Sequence, residues 1–328
     1  MKRSSAAILC VVFAAVAYGA DRNNKKADKK SDPSQIGNRG VGKGVNFYSL
    51  EKEMALGRQL AQEVQRQARM VDDSLIAEFV NRLGQNLARN SDAKAPFTFH
   101  VVDAPALNAF ALPGGYVFVN AGLIEIAEDE DELAGAMAHE IAHVAARHMT
   151  RQATKSQLAK LAAAPLGAVL GGWTGYAATQ GAGVAIPMTF LSFGRKDEAE
   201  ADYLGVQYAY AAGYDPTGVI SIFEKMESLE RKQPGAVSKA FSSHPQDADR
   251  ISQTQREIQE ILPAKADYVV TTSEYRDIRK RLIELRAARE NPDGGSRPRP
   301  RALPGGETPG QSRDSEDRPS VKRRDILE

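Results

Sequence analysis

Residues 139–143 read His-Glu-Ile-Ala-His, and this pentapeptide restricts the fold more than any other feature of the chain. Side chains four residues apart lie on the same face of an α-helix, so a helix here brings both imidazoles together. Two histidines at this spacing, with a glutamate after the first, are typical of a metal site. The chain has only five histidines in 328 residues, so chance does not account for the spacing. The sequence therefore predicts a helix that binds a metal ion through His139 and His143.

Glu140 is expected to lie beside this metal rather than on it, where its carboxylate can take a proton from a metal-bound water. Zinc suits such a site, because it accepts two imidazole nitrogens and a carboxylate and keeps a fourth position open for water. A water bound there ionises near neutral pH and can attack a carbonyl that the same ion polarises. The residues thus predict one zinc ion per chain and hydrolysis with Glu140 as the general base.

The third metal ligand must come from outside the pentapeptide. A longer motif with a glycine and a third histidine fails, because Ala146 and Met149 stand at those positions. Glu198 and Asp202 lie four residues apart on one face of a predicted helix. Glu198 could bind the metal while Asp202 holds the far nitrogen of a ligand histidine. The alternative, an exposed charged start of that helix, stays open on spacing alone.

His148 is expected to play no part in the metal site. It follows His143 by five residues, which is about 140° further round a continuous helix. The sequence therefore predicts that His148 points away from the metal and makes a structural hydrogen bond. Glu200 is likewise expected to face away from the side that carries Glu198 and Asp202.

The pattern of apolar residues predicts an α+β fold, mostly helical, with one small sheet beside the helix of the pentapeptide. A glycine turn at 113–115 separates two of the predicted strands. A long helix is expected to open at the acidic residues 128–132 and to continue past His148. The other predicted elements are helices near 49–64, 73–88, 197, 216–230, 246–262 and 273–290, and strands near 97–101, 108–112 and 116–120.

The ends of the chain differ in composition from its centre. Residues 1–20 combine basic residues with a short apolar run, which predicts a secretory signal peptide, with a retained N-terminal anchor as the alternative. The only cysteine, Cys10, lies within this segment, so no disulfide is expected. We expect a basic flexible linker at 21–44, one domain at 45–290 and a disordered tail rich in Pro, Gly and Arg at 291–328.

Charge and hydropathy give further expectations about partners. Lys and Arg total 43 and Asp and Glu total 42, so the net charge of +1 offers no case for nucleic-acid binding. Residues 157–192 are rich in Ala and Gly and interrupted by helix breakers. They could form a peripheral membrane contact, a lid over the site or an oligomer contact, whereas a membrane span is disfavoured.

These residues together resemble the zinc metallopeptidases of the HtpX, BepA and LoiP group, whose clan includes the CAAX prenyl endopeptidases. The resemblance covers about 45–290 in the family's order. It rests on residues 108–115, 138–144, 147–148, 195, 198–205, 243–245 and 250. Because residues 291–328 show no helical repeats, we expect this chain to resemble the short members.

The resemblance implies further roles for individual residues. It makes Glu198 the third zinc ligand, and it marks His244, followed by proline, and Arg250 as a second signature near the site. In some members the matching histidine occupies the open zinc position and holds the enzyme latent. From the residues themselves, His244 could donate a hydrogen bond to the transition state and Arg250 could pair with a carboxylate or an oxyanion. A capping or packing role for His244 is the alternative.

The predicted function is that of an exported, most simply periplasmic, zinc endopeptidase that hydrolyses unfolded or misfolded envelope proteins in quality control. A free strand edge beside the site could hold an extended substrate through main-chain hydrogen bonds. The residues of that strand are Asn108, Ala109, Phe110, Ala111 and Leu112. The alternative function is a latent or non-catalytic zinc protein that holds unfolded clients as a chaperone. The resemblance implies that 157–192 covers the active site, and peripheral membrane association through this stretch is the alternative.

Overall fold

The computed structural model describes residues 32–163, 193–232 and 248–290. The chain divides into two units, Met1–Arg286 and Ala287–Glu328, and every described residue of the candidate site belongs to the first. The described part is mostly helical with one three-stranded sheet, which confirms the predicted α+β class. None of its helices combines the length and the apolar character of a membrane span. The predicted signal peptide, the tail, His244 and residues 164–192 lie outside the described residues.

The described helices follow the capping and apolar residues of the sequence closely. They are α1 (Leu50–Gln67), α2 (Ser74–Arg89), α3 (Ala121–Ile126), α4 (Glu130–Ala145), α5 (His148–Ala163), α6 (Arg195–Ala211), α7 (Gly218–Lys232), α8 (Ala248–Ile261) and α9 (Ser273–Glu290). Ser49 caps α1 by accepting a hydrogen bond from the backbone N–H of Lys52 at 3.3 Å. Asp73 caps α2 in the same way. The sequence analysis does not predict the short helix α3.

The sheet places one strand edge toward α4. Its strands are β1 (Thr98–Val102), β2 (Ala109–Leu112) and β3 (Tyr116–Asn120), in the order β1-β3-β2. β3 pairs in parallel with β1 and antiparallel with β2, so β2 lies at an edge, as the sequence predicts. Gly114 and Gly115 join β2 to β3 with φ angles of 76° and 93°, a conformation that favours glycine.

α4 runs through the hydrophobic core and is buried over nearly all of its length. It packs against α2, α6, α7 and β2. Gly205 of α6 lies so close to α4 that an added Cβ would stand 3.2 Å from both the Cα and the N of His139. The missing side chain at Gly205 therefore lets α6 approach α4 where the first histidine of the pentapeptide lies.

The prediction of one continuous helix from 128–132 past His148 is wrong. α4 ends at Ala145, and α5 begins at His148, with Ala146 and Arg147 between the two helices. Arg147 takes a left-handed backbone conformation with φ of 56°, which is unusual for a residue other than glycine. Its side chain compensates, because Nε donates to Glu53 Oε1 at 2.8 Å and Nη2 to the backbone oxygen of Tyr48 at 2.5 Å. The angular argument that turned His148 away from the metal therefore does not apply.

Candidate metal centre

α4 and α6 bring two imidazoles and a carboxylate together in the buried interior. The Nε2 atoms of His139 and His143 are 3.0 Å apart. Glu198 Oε2 lies 3.4 Å from His139 Nε2, and Glu198 Oε1 lies 3.7 Å from His143 Nε2. One donor atom from each residue lies within 4.8 Å of the other two, and all three side chains are buried. Two imidazole nitrogens and a carboxylate oxygen are the donor set of a zinc site with an open position, so these residues fit such an ion.

Asp202 and Arg250 lie next to this cluster, on the side of His139. Asp202 Oδ1 lies 3.0 Å from His139 Nδ1. Arg250 donates from Nε to Asp202 Oδ2 and from Nη2 to Asp202 Oδ1, both at 2.7 Å. Its Nη1 also lies 3.1 Å from Glu198 Oε2. Arg250 thus contacts both carboxylates, and a single guanidinium from α8 fixes two residues of α6 relative to each other.

The electrostatics of this group favour positive charge at the centre. Burial lowers the pKa of His139, but hydrogen bonds and charge interactions with Asp202 and Glu198 outweigh burial and raise that pKa to about 9. Burial raises the pKa of Asp202, but its contacts with His139 and Arg250 outweigh burial, so the pKa of this carboxyl is lowered. An environment that stabilises a positive charge on His139 is also suited to a bound cation.

Glu140 lies outside the ligand cluster and contacts the edge strand. Its Oε2 accepts a hydrogen bond of 2.9 Å from the backbone N–H of Ala111. Ala111 is opposite Val117 in the β2–β3 register. In an antiparallel pair the backbone N–H groups of successive residues point alternately toward and away from the partner strand, and those of Phe110 and Leu112 point toward β3. The N–H of Ala111 therefore points away from β3, and the carboxylate is fixed relative to the strand that we expect to bind substrate.

His143 is supported by residues that the sequence analysis misses. Phe193 stacks on its ring with the centroids 4.1 Å apart. His148 Nδ1 lies 3.0 Å from His143 Nδ1, and His148 Nε2 lies 3.2 Å from Glu200 Oε2. Glu200 is not one of the three clustered ligands, and it reaches the site through His148. Arg147 and His148 belong to the motifs of the resemblance, so a signal for this contact was present, whereas nothing in the sequence singles out Phe193.

The sequence of residues 75–258 matches the profile of peptidase family M48. That match spans more than half of the chain and contains all of the described site residues. This chain belongs to peptidase family M48. M48 peptidases are metal-dependent, in agreement with the cluster of His139, His143 and Glu198.

Three M48 relatives show how far the similarity extends. The chain is 29 % identical over 253 residues to a beta-barrel assembly-enhancing protease of Yersinia pestis, covering 74 % of this chain and 51 % of the relative. It is 30 % identical over 265 residues to a putative beta-barrel assembly-enhancing protease of Vibrio cholerae, covering 79 % and 53 %. It is 37 % identical over 177 residues to the mitochondrial metalloendopeptidase OMA1 of Schizosaccharomyces pombe, covering 53 % and 48 %. The chain spans about half the length of these curated relatives.

Proposed function

We propose that this M48 metallopeptidase is a zinc-dependent endopeptidase that cleaves unfolded or misfolded exported proteins, with Glu140 as its general base. The observation that carries the proposal is the position of Glu140, which stands next to the two histidines on α4 and accepts a hydrogen bond from the edge strand at Ala111. A protein that only held its clients would have no need for a base at this position. His139, His143 and Glu198 would hold the zinc ion.

Zinc, when bound, supplies a Lewis acid that acidifies a water and polarises the carbonyl of the scissile bond. Glu140 accepts a proton from the attacking water as its oxygen bonds to the carbonyl carbon, and it delivers that proton to the amine nitrogen as the C–N bond breaks. Asp202 and Arg250 hold His139 and Glu198 in place throughout. The hydrogen bond to Ala111 keeps the base at a fixed distance from a peptide paired with β2.

The substrate class follows from the edge strand. An extended peptide can add to β2 by main-chain hydrogen bonds that depend little on side-chain identity. A folded protein offers few extended segments for such pairing, so unfolded chains are the favoured substrates. The name of the OMA1 relative supports an endopeptidase, and the composition of residues 1–20 supports export.

The decisive experiment compares the zinc-loaded wild type with Glu140→Gln on casein. We expect cleavage by the wild type and a loss of at least about 1000-fold in the variant, because the amide cannot take up the proton. Glu78→Gln, which alters an exposed carboxylate of α2, is the matched control and should cleave like the wild type. Equal cleavage by wild type and Glu140→Gln would disprove the role of Glu140.

Metal content and substrate folding test the remaining parts of the proposal. Metal analysis of the purified wild type should find one zinc per chain, and a protein that binds no zinc would refute the zinc site. Reduced and alkylated lysozyme should be cleaved much faster than native lysozyme. Equal rates on the two forms would show that the enzyme does not select unfolded chains.

A further inference from the structure

His148 is a wholly buried histidine that none of the roles above uses. It is the first residue of α5, and the left-handed Arg147 turns the chain so that its ring approaches His143. The ring centroids of the two histidines are 4.9 Å apart, with the planes at 73°. This contact connects the metal cluster to the carboxylate of Glu200, which lies between Glu198 and Asp202 on α6.

The two nitrogens of His148 make different contacts. Nδ1 lies 3.0 Å from Nδ1 of His143, and Nε2 lies 3.2 Å from Oε2 of Glu200. Glu200 is itself held by Arg151, whose Nη1 donates to the same Oε2 at 3.3 Å. The three groups therefore form a continuous chain from His143 to a carboxylate near the surface, whose side chain is 25 % exposed.

One arrangement of protons satisfies all of these contacts when both imidazoles are neutral. His143 Nε2 faces Glu198 and His139, so this nitrogen must be unprotonated to act as a ligand. Its proton then resides on Nδ1 and is donated to Nδ1 of His148. The proton of His148 consequently resides on Nε2, where it is donated to Glu200. Each nitrogen in the chain then has a partner of the opposite kind.

We propose that His148 and Glu200 are positioning residues that fix the ring orientation and the tautomer of His143 as a metal ligand. The comparison with His139 supports this, since His139 Nδ1 contacts the carboxylate of Asp202 directly at 3.0 Å. His143 has no such direct carboxylate among the described contacts at Nδ1, and the imidazole of His148 supplies the link. Outer partners of this kind raise the basicity of the ligand and the affinity for the metal. The inference rests on the proposed zinc site.

Zinc affinity is the first test, measured by competition with a chromophoric chelator. We expect His148→Ala to weaken zinc binding by about 10- to 100-fold, the usual effect of removing such a partner. His148→Asn keeps an amide oxygen near the position of Nδ1 and should restore affinity to within a few-fold of wild type. His100→Ala is the matched control, because His100 lies on β1 and contacts Gln65 instead. It should bind zinc like the wild type.

Two further measurements keep the test valid if His148→Ala does not fold. Glu200→Gln alters a partly exposed residue and should weaken zinc binding several-fold. In zinc-loaded wild type labelled with ¹⁵N-histidine, ring spectra should show protons on Nδ1 of His143 and Nε2 of His148. The five histidines make that assignment practicable.

The outcomes separate this inference from the proposed function. A wild type that binds no zinc would refute the zinc site itself. If the wild type binds zinc and both His148→Ala and Glu200→Gln bind it with the wild-type affinity, the inference is overturned and the proposed zinc site stands. A proton on Nδ1 of His148 would also overturn the inference, as would a loss in His148→Ala that His148→Asn does not restore.

Discussion

At the scale of single residues, the buried charges around His139 depend on one another. Asp202 and Glu198 bring two negative charges into the interior, and Arg250 contacts both of them. Removing the guanidinium would take one buried positive partner away from both carboxylates, and breaking a buried ion pair in this way is strongly destabilising. The sequence predicts that Glu198 and Asp202 lie on one face of a helix, since four residues span about one helical turn. Their contact with Arg250 could not be derived from spacing, because it joins two helices.

Asp131 provides a prediction about pH. It lies in the first turn of α4 and is buried, and burial together with the negative charges of Asp129, Asp215 and Glu132 raises its pKa from 3.8 to about 7. Between these values the unfolded chain releases the proton while the folded protein keeps it, so this group lowers stability as the pH rises toward 7. Above about pH 7 Asp131 is ionised in the folded protein as well, and the full loss of stability is reached.

Asp131→Asn should therefore gain stability relative to the wild type as the pH rises. We expect the Tm difference, variant minus wild type, to be at least about 2 °C larger at pH 8 than at pH 5. Thermal unfolding followed by circular dichroism at both pH values measures it. Asp277→Asn, which alters an exposed residue of α9, is the control. Its Tm difference from the wild type should be the same at pH 5 and pH 8. A pH-independent difference for Asp131→Asn would contradict the raised pKa.

At the scale of elements, the break between α4 and α5 limits what periodicity can predict. The sequence analysis locates most helices and all three strands because their apolar residues repeat at regular intervals. The break has no such signal, because neither glycine nor proline stands at 145–148. It depends on tertiary contacts of Arg147 with Glu53 and Tyr48, which are distant in sequence. For that reason periodicity alone could not predict the contact of His148 with His143.

The packing of α6 on α4 gives a second prediction. Gly205→Ala would place a Cβ 3.2 Å from the backbone of His139. α4 is enclosed by other elements and cannot move aside freely, so α6 should shift outward and draw Glu198 away from the histidines. We expect zinc affinity to fall by about 10-fold and Tm to fall by about 2–4 °C.

The control for this variant lies on the same helix. Gly194 caps α6, and a Cβ there would meet nothing closer than 3.8 Å. Gly194→Ala should lose no more than about 1 kcal/mol of stability and should bind zinc like the wild type. Unchanged zinc affinity in Gly205→Ala would show that the close approach of the two helices does not position the ligands.

At the scale of the whole molecule, the proposed zinc site would join two helices, α4 and α6, at one point. A ligand that binds only the folded state raises stability by about 4 kcal/mol when its concentration is 1000 times its Kd. For a domain of this size that corresponds to roughly 10 °C in Tm. Adding a chelator to the zinc-loaded protein should lower Tm by about that amount, and added zinc should reverse the change.

Glu198→Gln is the matched variant for this measurement. It lacks one ligand charge, so the chelator should lower its Tm by less than half of the wild-type change. An unchanged wild-type Tm after the chelator has removed all bound metal would contradict a stabilising zinc site.

The order of the site residues along the chain has a consequence for synthesis. A ribosome releases His139 and His143 before Glu198, and Arg250 follows later still. Folding of a nascent chain can use only the residues that have already emerged. An incomplete chain thus carries the histidine pair without the carboxylates of α6 and without the guanidinium of α8. The proposed peptide hydrolysis would therefore begin only when these helices have docked, after all of the site residues have been synthesised.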